Sequence, residues 1–520
     1  MQRRRTRWNS ARDSCLSNPT NLTSGRLLAR NTIINLAGEV APSLVALLAI
    51  PLVIRVLGVD RYGVLTLSIM VVGYFGLFDF GLGRAATKFI AAAAASSDQQ
   101  EIPGLFWTSL FMMLAFGTAG GVVVAVLAPW LVHGALKIPV ALQPESLHAL
   151  YLLAFSMPFV ISSGGLNGTL SAFQRFDLIN EIRVPSAIFS YVGPLLVLPF
   201  SHSLGWLVAV VVLGRVAGWI VTFWLCLRLV PGLGREIHPG RATIRPMLSF
   251  GGWLTVSAVV SPIMAYFDRF LIGAMLSMAA VTYYAVPFQV ATKLWIIPNA
   301  VSAVTFSAFS GAFSSDPDHA ALLLESATKY IVLTLFAPVL FIITLAPEAL
   351  RLWLGPSFAD HSASALRWLT FAVFINSTAH PAYGLIQAAD RPDLLAKLHL
   401  AEAPFYVAML WWMMVRYGIA GVAITWTVRV VVTTLIVFLM AWRLLPMAAP
   451  GIARIATLTS AALLIFAVGT IPMDLPEQCL LLGIAPLLFA MLGWLVLGPR
   501  ERASVRGVVR GVRLLLAQAH

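Results

Sequence analysis

The sequence predicts an all-α, polytopic membrane protein of about fourteen transmembrane helices, built as two six-helix pseudo-repeats and two further C-terminal helices. Three observations predict it. The chain is 59% hydrophobic and only 11% charged, whereas a soluble domain carries roughly a quarter charged residues. Its apolar residues gather in windows of about 20, the length that crosses a bilayer at a rise of about 1.5 Å per residue. Lys and Arg are divided between the intervening loops with a strong two-sided bias.

The elements follow in order. Residues 1–30 form a basic, cytoplasmic N-tail. The first apolar run begins near Asn31 and is too long for the core of a cleaved signal peptide, so it reads as a retained helix. Apolar windows run over 32–54, 62–82, 104–131, 148–170, 183–200, 204–227, 247–272, 281–309, 328–346, 365–389, 396–415, 417–442, 453–471 and 478–497. The fifth is short. The eighth is long and broken by Pro287 and Pro298. The alanine-rich piece Ala85–Ala95 carries Lys88 and reads as an extension at the membrane surface. Residues 499–520 form a basic C-tail.

With the N-tail in the cytoplasm, 25 of the 35 Lys and Arg residues fall on the cytoplasmic side and 6 in outer loops. Both termini are then cytoplasmic. The net charge of +13 becomes arginines beside anionic lipid headgroups, and the nucleic-acid reading of a basic chain loses its support. Cys15, Cys226 and Cys479 are too scattered for a disulfide frame or a Cys-rich metal site. No GxxxxGK[ST], HExxH, CxxC or GxSxG pattern occurs. No cofactor or metal is expected, and the expected class is not an enzyme. Coupling to a proton or sodium gradient stays open.

The chain repeats itself. The segment from Leu57 to Gly63 returns from Leu276 onward, and Leu170–Leu178 returns as Ile386–Leu394, at offsets of 219 and 216 residues. Six spans is an even number, so both copies enter the membrane the same way. This implies a pseudo-twofold along the membrane normal, with a site between the halves. The halves run over 31–230 and 247–442, joined by a cytoplasmic linker at 231–246. Residues 443–498 hold the two extra helices.

Several segments carry a family resemblance. They are Arg55-Val56-Leu57-Gly58 with Tyr62-Gly63, Phe78-Asp79-Phe80-Gly81-Leu82-Gly83, Gln174-Arg175-Phe176-Asp177-Leu178, Asp268-Arg269-Phe270-Leu271-Ile272-Gly273 and Leu352-Trp353-Leu354-Gly355-Pro356. In this order and spacing the chain resembles the bacterial polysaccharide (O-antigen type) flippases of the multidrug, oligosaccharidyl-lipid and polysaccharide exporter superfamily. The resemblance runs from about Asn31 to about Trp442. It implies a V-shaped bundle in the bacterial inner membrane and a lipid-linked oligosaccharide as cargo, usually on undecaprenyl pyrophosphate, moved between leaflets for surface polysaccharide synthesis. It also implies membrane lipids, a polysaccharide polymerase and glycosyltransferases as partners. Ser277 and Thr282 depart from the family pattern, standing where glycine is usual.

Charges inside spans are costly and usually face a cavity. Arg215 in span six, Lys293 in span eight and Arg429 in span twelve lie near mid-depth. Three cations there make an electropositive path suited to a pyrophosphate headgroup, so these are the candidate substrate-binding residues. Structural pairing with Glu39 or Glu402 is the competing reading for them. Glu39, Asp79, Asp268, Arg269, His380 and Glu402 are candidate coupling or structural residues. Glu39 fits a helix-to-helix pair or a proton carrier, Asp79 a turn or cap, and His380 a satisfied polar contact. Asp268–Arg269 also fits an interfacial ion pair. Tyr62, Trp130, Trp253 and Trp353 read as interfacial anchors. The three GxxxG steps at Gly117–Gly121, Gly164–Gly168 and Gly214–Gly218 read as internal helix packing.

Three other functions compete with the flippase. A cation-coupled multidrug antiporter is expected to have twelve spans and an acidic cavity. A peptidoglycan lipid-precursor flippase shares the span count and the cationic cavity. A membrane glycan polymerase or ligase needs large outer loops with catalytic residues, and the loops near 132–147 and 347–364 are short.

Overall fold

The computed structural model describes residues 25–76, 81–95, 101–230 and 267–496, with short pieces at 233–234, 244–247, 498 and 502. The regular elements among the described residues are all helices, without strands. The helices are α1 (Gly25–Leu57), α2 (Val59–Gly76), α3 (Leu82–Ala95), α4 (Glu101–Trp130), α5 (Gln143–Ala172), α6 (Phe176–Val197) and α7 (Leu204–Leu229). After a helical piece over 267–275 come α8 (Met278–Thr292), α9 (Ile296–Ser315), α10 (Pro317–Thr344), α11 (Ala346–Leu354) and α12 (Pro356–Ala388).

The next helical run, Pro392–Leu444, spans 53 residues, but Gly418 inside it has φ 57° and ψ −134°. Only glycine takes such a conformation without strain. The chain folds back there. Thr433 hydrogen-bonds Glu402 across 31 residues, which a straight helix would hold about 46 Å apart. Arg429 lies over Tyr406. A Cβ on Gly421 would stand 2.1 Å from the Met413 carbonyl. All three pairs are centred on Gly418, so the run is an antiparallel hairpin of α13 (392–417) and α14 (419–444). Then α15 (Ala449–Val468) and α16 (Leu475–Val496) follow.

Every apolar window coincides with a helix, except that the seventh lies outside the described residues before 267. The described helices include eight long and apolar enough to cross a membrane, one of them the folded-back 392–444 run. The protein is therefore a multi-pass membrane protein, in a pattern consistent with the expected fourteen spans. The break in the eighth window falls on a 3-10 turn, Lys293–Trp295, rather than at either proline. The extension α3 is more than a surface piece. Leu82, Ala85, Ala86 and Ile90 are fully buried. A Cβ on Gly168 of α5 would meet the Gly83 carbonyl at 2.5 Å, so α3 is wedged against α5 with Lys88 left exposed.

The small-residue steps pack the interior. Gly117 and Gly121 bring α4 onto Pro158 and Ala154 of α5, and Gly214 and Gly218 bring α7 onto Phe189 and Ser186 of α6. Helices α15 and α16 dock on α10. At one end Glu325 accepts from Lys329 at 2.6 Å and Arg454 at 2.7 Å, and Lys329 reaches the Val496 carbonyl. In the middle Phe336 stacks on Phe489 and Phe466.

The contacts repeat between halves. The α4–α5 pair is matched by α10–α12, the α5–α7 pair by α12 with the α13–α14 hairpin, and the α6–α7 pair by the two arms of that hairpin. Two loops repeat in detail. Gln174 and Asp390, 216 residues apart, both have positive φ, 57° and 54°. Each lies in the same turn, and each is followed by an arginine clamping an aspartate two residues on, Arg175 on Asp177 and Arg391 on Asp393.

The two halves meet through α2 and α8. Asp60 accepts from the Ala279 amide, and Thr282 donates to the Val59 carbonyl. A Cβ on Gly63 would lie 2.0 Å from the Met278 carbonyl and 3.0 Å from the Thr282 hydroxyl. Asp60 with Ala279, and Gly63 with Thr282, are each related by the 219-residue offset. A residue that touches its own repeat mate sits at the twofold, so these contacts mark the pseudo-symmetry axis. Lys137 bonding to the Gly273 and Met275 carbonyls, and Trp353 to Leu47, lie toward the same end of the bundle. We call this the distal face, and the face where α10 begins and α16 ends the proximal face. Trp353 thus ties the halves together.

Candidate functional site

A cavity of about 320 Å³ opens in the first half. Its walls are Ala49, Ile50 and Val53 of α1, Tyr62, Leu65, Thr66, Ile69 and Met70 of α2, and Ala187, Ser190, Tyr191 and Pro194 of α6, with Gln289 of α8 reaching in from the other half. The lining is apolar with a few hydroxyls, and no charged residue contributes to it. Tyr62 is buried here and is not an interfacial anchor, since the α2–α8 contact carries it inward.

The 219-residue offset carries the cavity walls onto a different set of residues. Ala49 and Ile50 become Asp268 and Arg269, Leu65 becomes Tyr284, and Ile69 becomes Phe288. These four are in mutual contact. Asp268 and Arg269 are wholly buried and paired at 3.2 Å. The second Asp268 oxygen accepts from the Tyr284 hydroxyl at 2.7 Å. The guanidinium lies 3.8 Å from the centre of the Phe288 ring. The pair is therefore not interfacial, as its place near a span end suggested. Where one half keeps a space, the other holds a buried ion pair and an aromatic ring.

The hairpins match as well. Tyr191 of α6 and Tyr406 of α13 are 215 residues apart, and Arg215 and Arg429 are 214 apart. Arg215 lies in the middle of α7 and Arg429 in the middle of α14. Arg429 stacks over Tyr406 at 5.0 Å. Arg215 has a buried Nη1 with no hydrogen-bond partner among the described residues. Lys293 is exposed at the α8–α9 break, one turn past Gln289, which lines the cavity. No described hydrogen bond or ion pair joins the three cations to one another.

The remaining candidates separate clearly. Glu39 stands 3.6 Å from Arg183 of α6, both half exposed. Asp79 lies outside the described residues. His380 is half-buried in α12 with no described hydrogen bond. Glu402 accepts from the Thr433 hydroxyl, and its other oxygen, 3.8 Å from His399, is buried without a donor among the described residues. The equivalence of Arg215 with Arg429, and of Ala49–Ile50 with Asp268–Arg269, was present in the sequence. Extending the two repeat offsets from the loops into the spans would have exposed it.

Residues 28–313, more than half of the chain, match the family model described as polysaccharide biosynthesis protein. The chain belongs to this family. A candidate O-antigen transporter of Shigella flexneri is 28% identical over 415 residues, covering 79% of this chain and 96% of that protein. The fold is similar to that of the lipid II flippase MurJ, solved in an inward closed conformation, with a TM-score of 0.69 at 14% identity, covering 89% of this chain and 98% of that one. An inward-facing multidrug resistance MATE family transporter of the MOP superfamily matches with a TM-score of 0.60 at 18% identity, covering 80% and 95%. This member of the polysaccharide biosynthesis family thus shares its helical architecture with transporters and flippases.

Proposed function

We propose that the protein is a flippase that carries a lipid-linked oligosaccharide, of the undecaprenyl-pyrophosphate type, across the bacterial inner membrane for surface polysaccharide synthesis. The observation that carries this reading is the similarity to the candidate O-antigen transporter along nearly that protein's whole length. Both termini face the cytoplasm, so the distal face is the outer one. The halves 31–230 and 247–442 rock about the Asp60–Ala279 and Gly63–Thr282 contacts, and 443–498 rides on the second half through Glu325 and Phe336. Inter-half bonds at the distal face support a resting state closed to the outside. Arg215, Lys293 and Arg429 receive the anionic headgroup in turn, which a set of mid-depth cations is suited to do.

The test is flipping of a fluorescent undecaprenyl-pyrophosphate oligosaccharide in vesicles. Gln at Arg215, Lys293 and Arg429 should each slow flipping while leaving insertion intact; unchanged flipping in all three sinks the cation assignment. Accessible labelling of the exposed Cys479 from outside, with none at Cys15, tests the orientation. The likeness to the lipid II flippase fold favours one second reading, a peptidoglycan-precursor flippase. Rescue of a strain lacking that activity, without rescue of an O-antigen flippase mutant, would select it.

A further inference from the structure

The in-membrane carboxylates described by the structure differ in how their oxygens are satisfied. Asp268 has both oxygens engaged, by the Arg269 amide and guanidinium and by Tyr284. Glu39 is half exposed beside Arg183. Glu402 differs from these two and, like Glu348 of α11, has an oxygen that is buried without a donor among the described residues. Its side chain is 9% exposed. One oxygen accepts from Thr433 at 2.6 Å, and the other is buried with no donor among the described residues. A buried carboxylate oxygen without a donor carries the full desolvation penalty of its charge, and a proton on that oxygen removes it.

A route for the proton lies along the same helix. His399 precedes Glu402 by three residues on one face of α13, nearer the proximal face. Its side chain is 20% exposed against 9% for Glu402, and Tyr406 beyond it is 4% exposed. The His399 Nδ1 and the second Glu402 oxygen are 3.8 Å apart, and neither has a hydrogen-bond partner among the described residues. That is about 1 Å beyond direct bonding, within reach of a small side-chain rotation.

The surroundings connect this pair to Arg429. Thr433, the donor to Glu402, also bonds the Arg429 carbonyl one turn earlier on α14. Tyr383 of α12 feels both Glu402 and Arg429. Tyr406 lies under Arg429, and the Asp268, Arg269 and Tyr284 cluster is near enough to act on it electrostatically. These titratable and charged groups come from α8, α12, α14 and the 267–275 segment, and His380 lies one turn before Tyr383 on α12.

We propose that Glu402 is a proton-binding site, loaded from the proximal face through His399, and that its occupancy sets the anion affinity of Arg429. An imidazolium proton on His399 passes to the second Glu402 oxygen, leaving neutral imidazole and a neutral carboxyl group. The negative charge that Thr433 links to the Arg429 turn is thereby lost, and the guanidinium field is freed for a phosphate oxygen. By linkage, an anion held at Arg429 favours the proton on Glu402 equally. The second half of this proposal rests on the headgroup role given to Arg429 above.

The experiment uses the full chain in lipid nanodiscs and follows the carbonyl stretch of a protonated carboxyl group by infrared difference spectroscopy as pH is lowered. Inorganic pyrophosphate is the anion probe. The expected result is a band lost in Glu402→Gln and kept in His399→Gln, where it develops more slowly after a pH jump. Pyrophosphate should bind about tenfold tighter to the protonated protein than to the deprotonated one. Glu402→Gln should bind it tightly at every pH. A band that survives in folded Glu402→Gln overturns the proton site, and an unchanged rate in His399→Gln overturns the route. Pyrophosphate binding that keeps its pH dependence in Glu402→Gln overturns the linkage. Absence of pyrophosphate binding at any pH removes Arg429 as the anion site, and the linkage with it. The infrared band still decides the proton site in that case.

Discussion

The two halves of this bundle are built alike and filled differently. They share the α2–α8 axis contact, the paired proximal turns at Gln174 and Asp390, and a tyrosine and an arginine at matching places in their hairpins. At the equivalent point inside each half, however, the first has Ala49 and Ile50 bordering a cavity, and the second has Asp268 and Arg269 bonded to Tyr284 and packed on Phe288. The scaffold therefore tolerates both contents. An apolar-walled space at this point of one half and a charge-bonded cluster at the same point of the other give the halves different responses to any motion about the axis contact.

The largest effect should come from breaking the lock. Asp268→Ala leaves the Arg269 guanidinium buried without its carboxylate, a loss worth about 3–5 kcal/mol. We expect poor insertion or a strongly lowered melting temperature in detergent. The double variant Asp268→Ala with Arg269→Ile copies the first half's own residues. It should recover most of that loss, because replacing a buried pair by apolar groups is often close to neutral. If the double variant is as unstable as the single one, the two halves are not interchangeable at this point.

Next in size is the axis itself. Gly63→Leu would drive a side chain into the Met278 carbonyl, which is backbone and cannot rotate away. The cost should be about 1–3 kcal/mol of overpacking, taken up by parting α2 from α8. Crosslinking between cysteines placed on distal residues of the two helices should fall relative to the parent. An unchanged crosslinking yield would mean that the contact is not what holds the distal face closed.

Much of this comparison was legible in the sequence, and the illegible part has a physical cause. Helix positions follow from apolar length, and the repeat follows from loop motifs, because both are local. The 219-residue offset reappears as the Asp60–Ala279 bond. What could not be read was which face of each helix meets which neighbour. Tyr62 sits next to a span end and looks interfacial, yet the crossing with α8 buries it. Asp268 and Arg269 are adjacent in sequence and look like a surface pair, yet burial is total. In membrane helices apolar residues cover both lipid-facing and protein-facing sides, so periodicity carries little information about facing.

A smaller effect tests the cavity. Ala49→Leu adds bulk where the structure has about 320 Å³ of space. It should leave stability unchanged or raise it by about 1 kcal/mol, given the gain per buried methylene. Flipping in vesicles should slow if this half must close around the cavity. Ile50→Val, which enlarges the space, should do the opposite for stability and little to rate. Equal rates in all three proteins would mean that the cavity is a passive void.

The smallest effect lies in the repeated proximal turns, and it is one of titration. The hydrogen bonds from Arg391 and then Lys397 pull the exposed Asp393 carboxyl down to about 2. Its mate Asp177 is raised by partial burial, but the Arg175 bonds more than offset this, leaving it below its ordinary value. In each case the folded group titrates below the unfolded one, which lies near about 3.9. The stabilisation is therefore fully present above that value and is lost as pH falls through the folded one. No change is expected across neutral pH. Carboxyl NMR with selectively labelled aspartate should find Asp393 still ionised where free aspartate is half protonated. Arg391→Gln should release it by part of the shift, with Lys397 holding the rest, while Arg175→Gln should release Asp177 more completely because no second cation is described beside it. Identical titration of the two carboxyls after these substitutions would show that the turns, unlike the interiors of the halves, are equivalent in their electrostatics as well as their geometry.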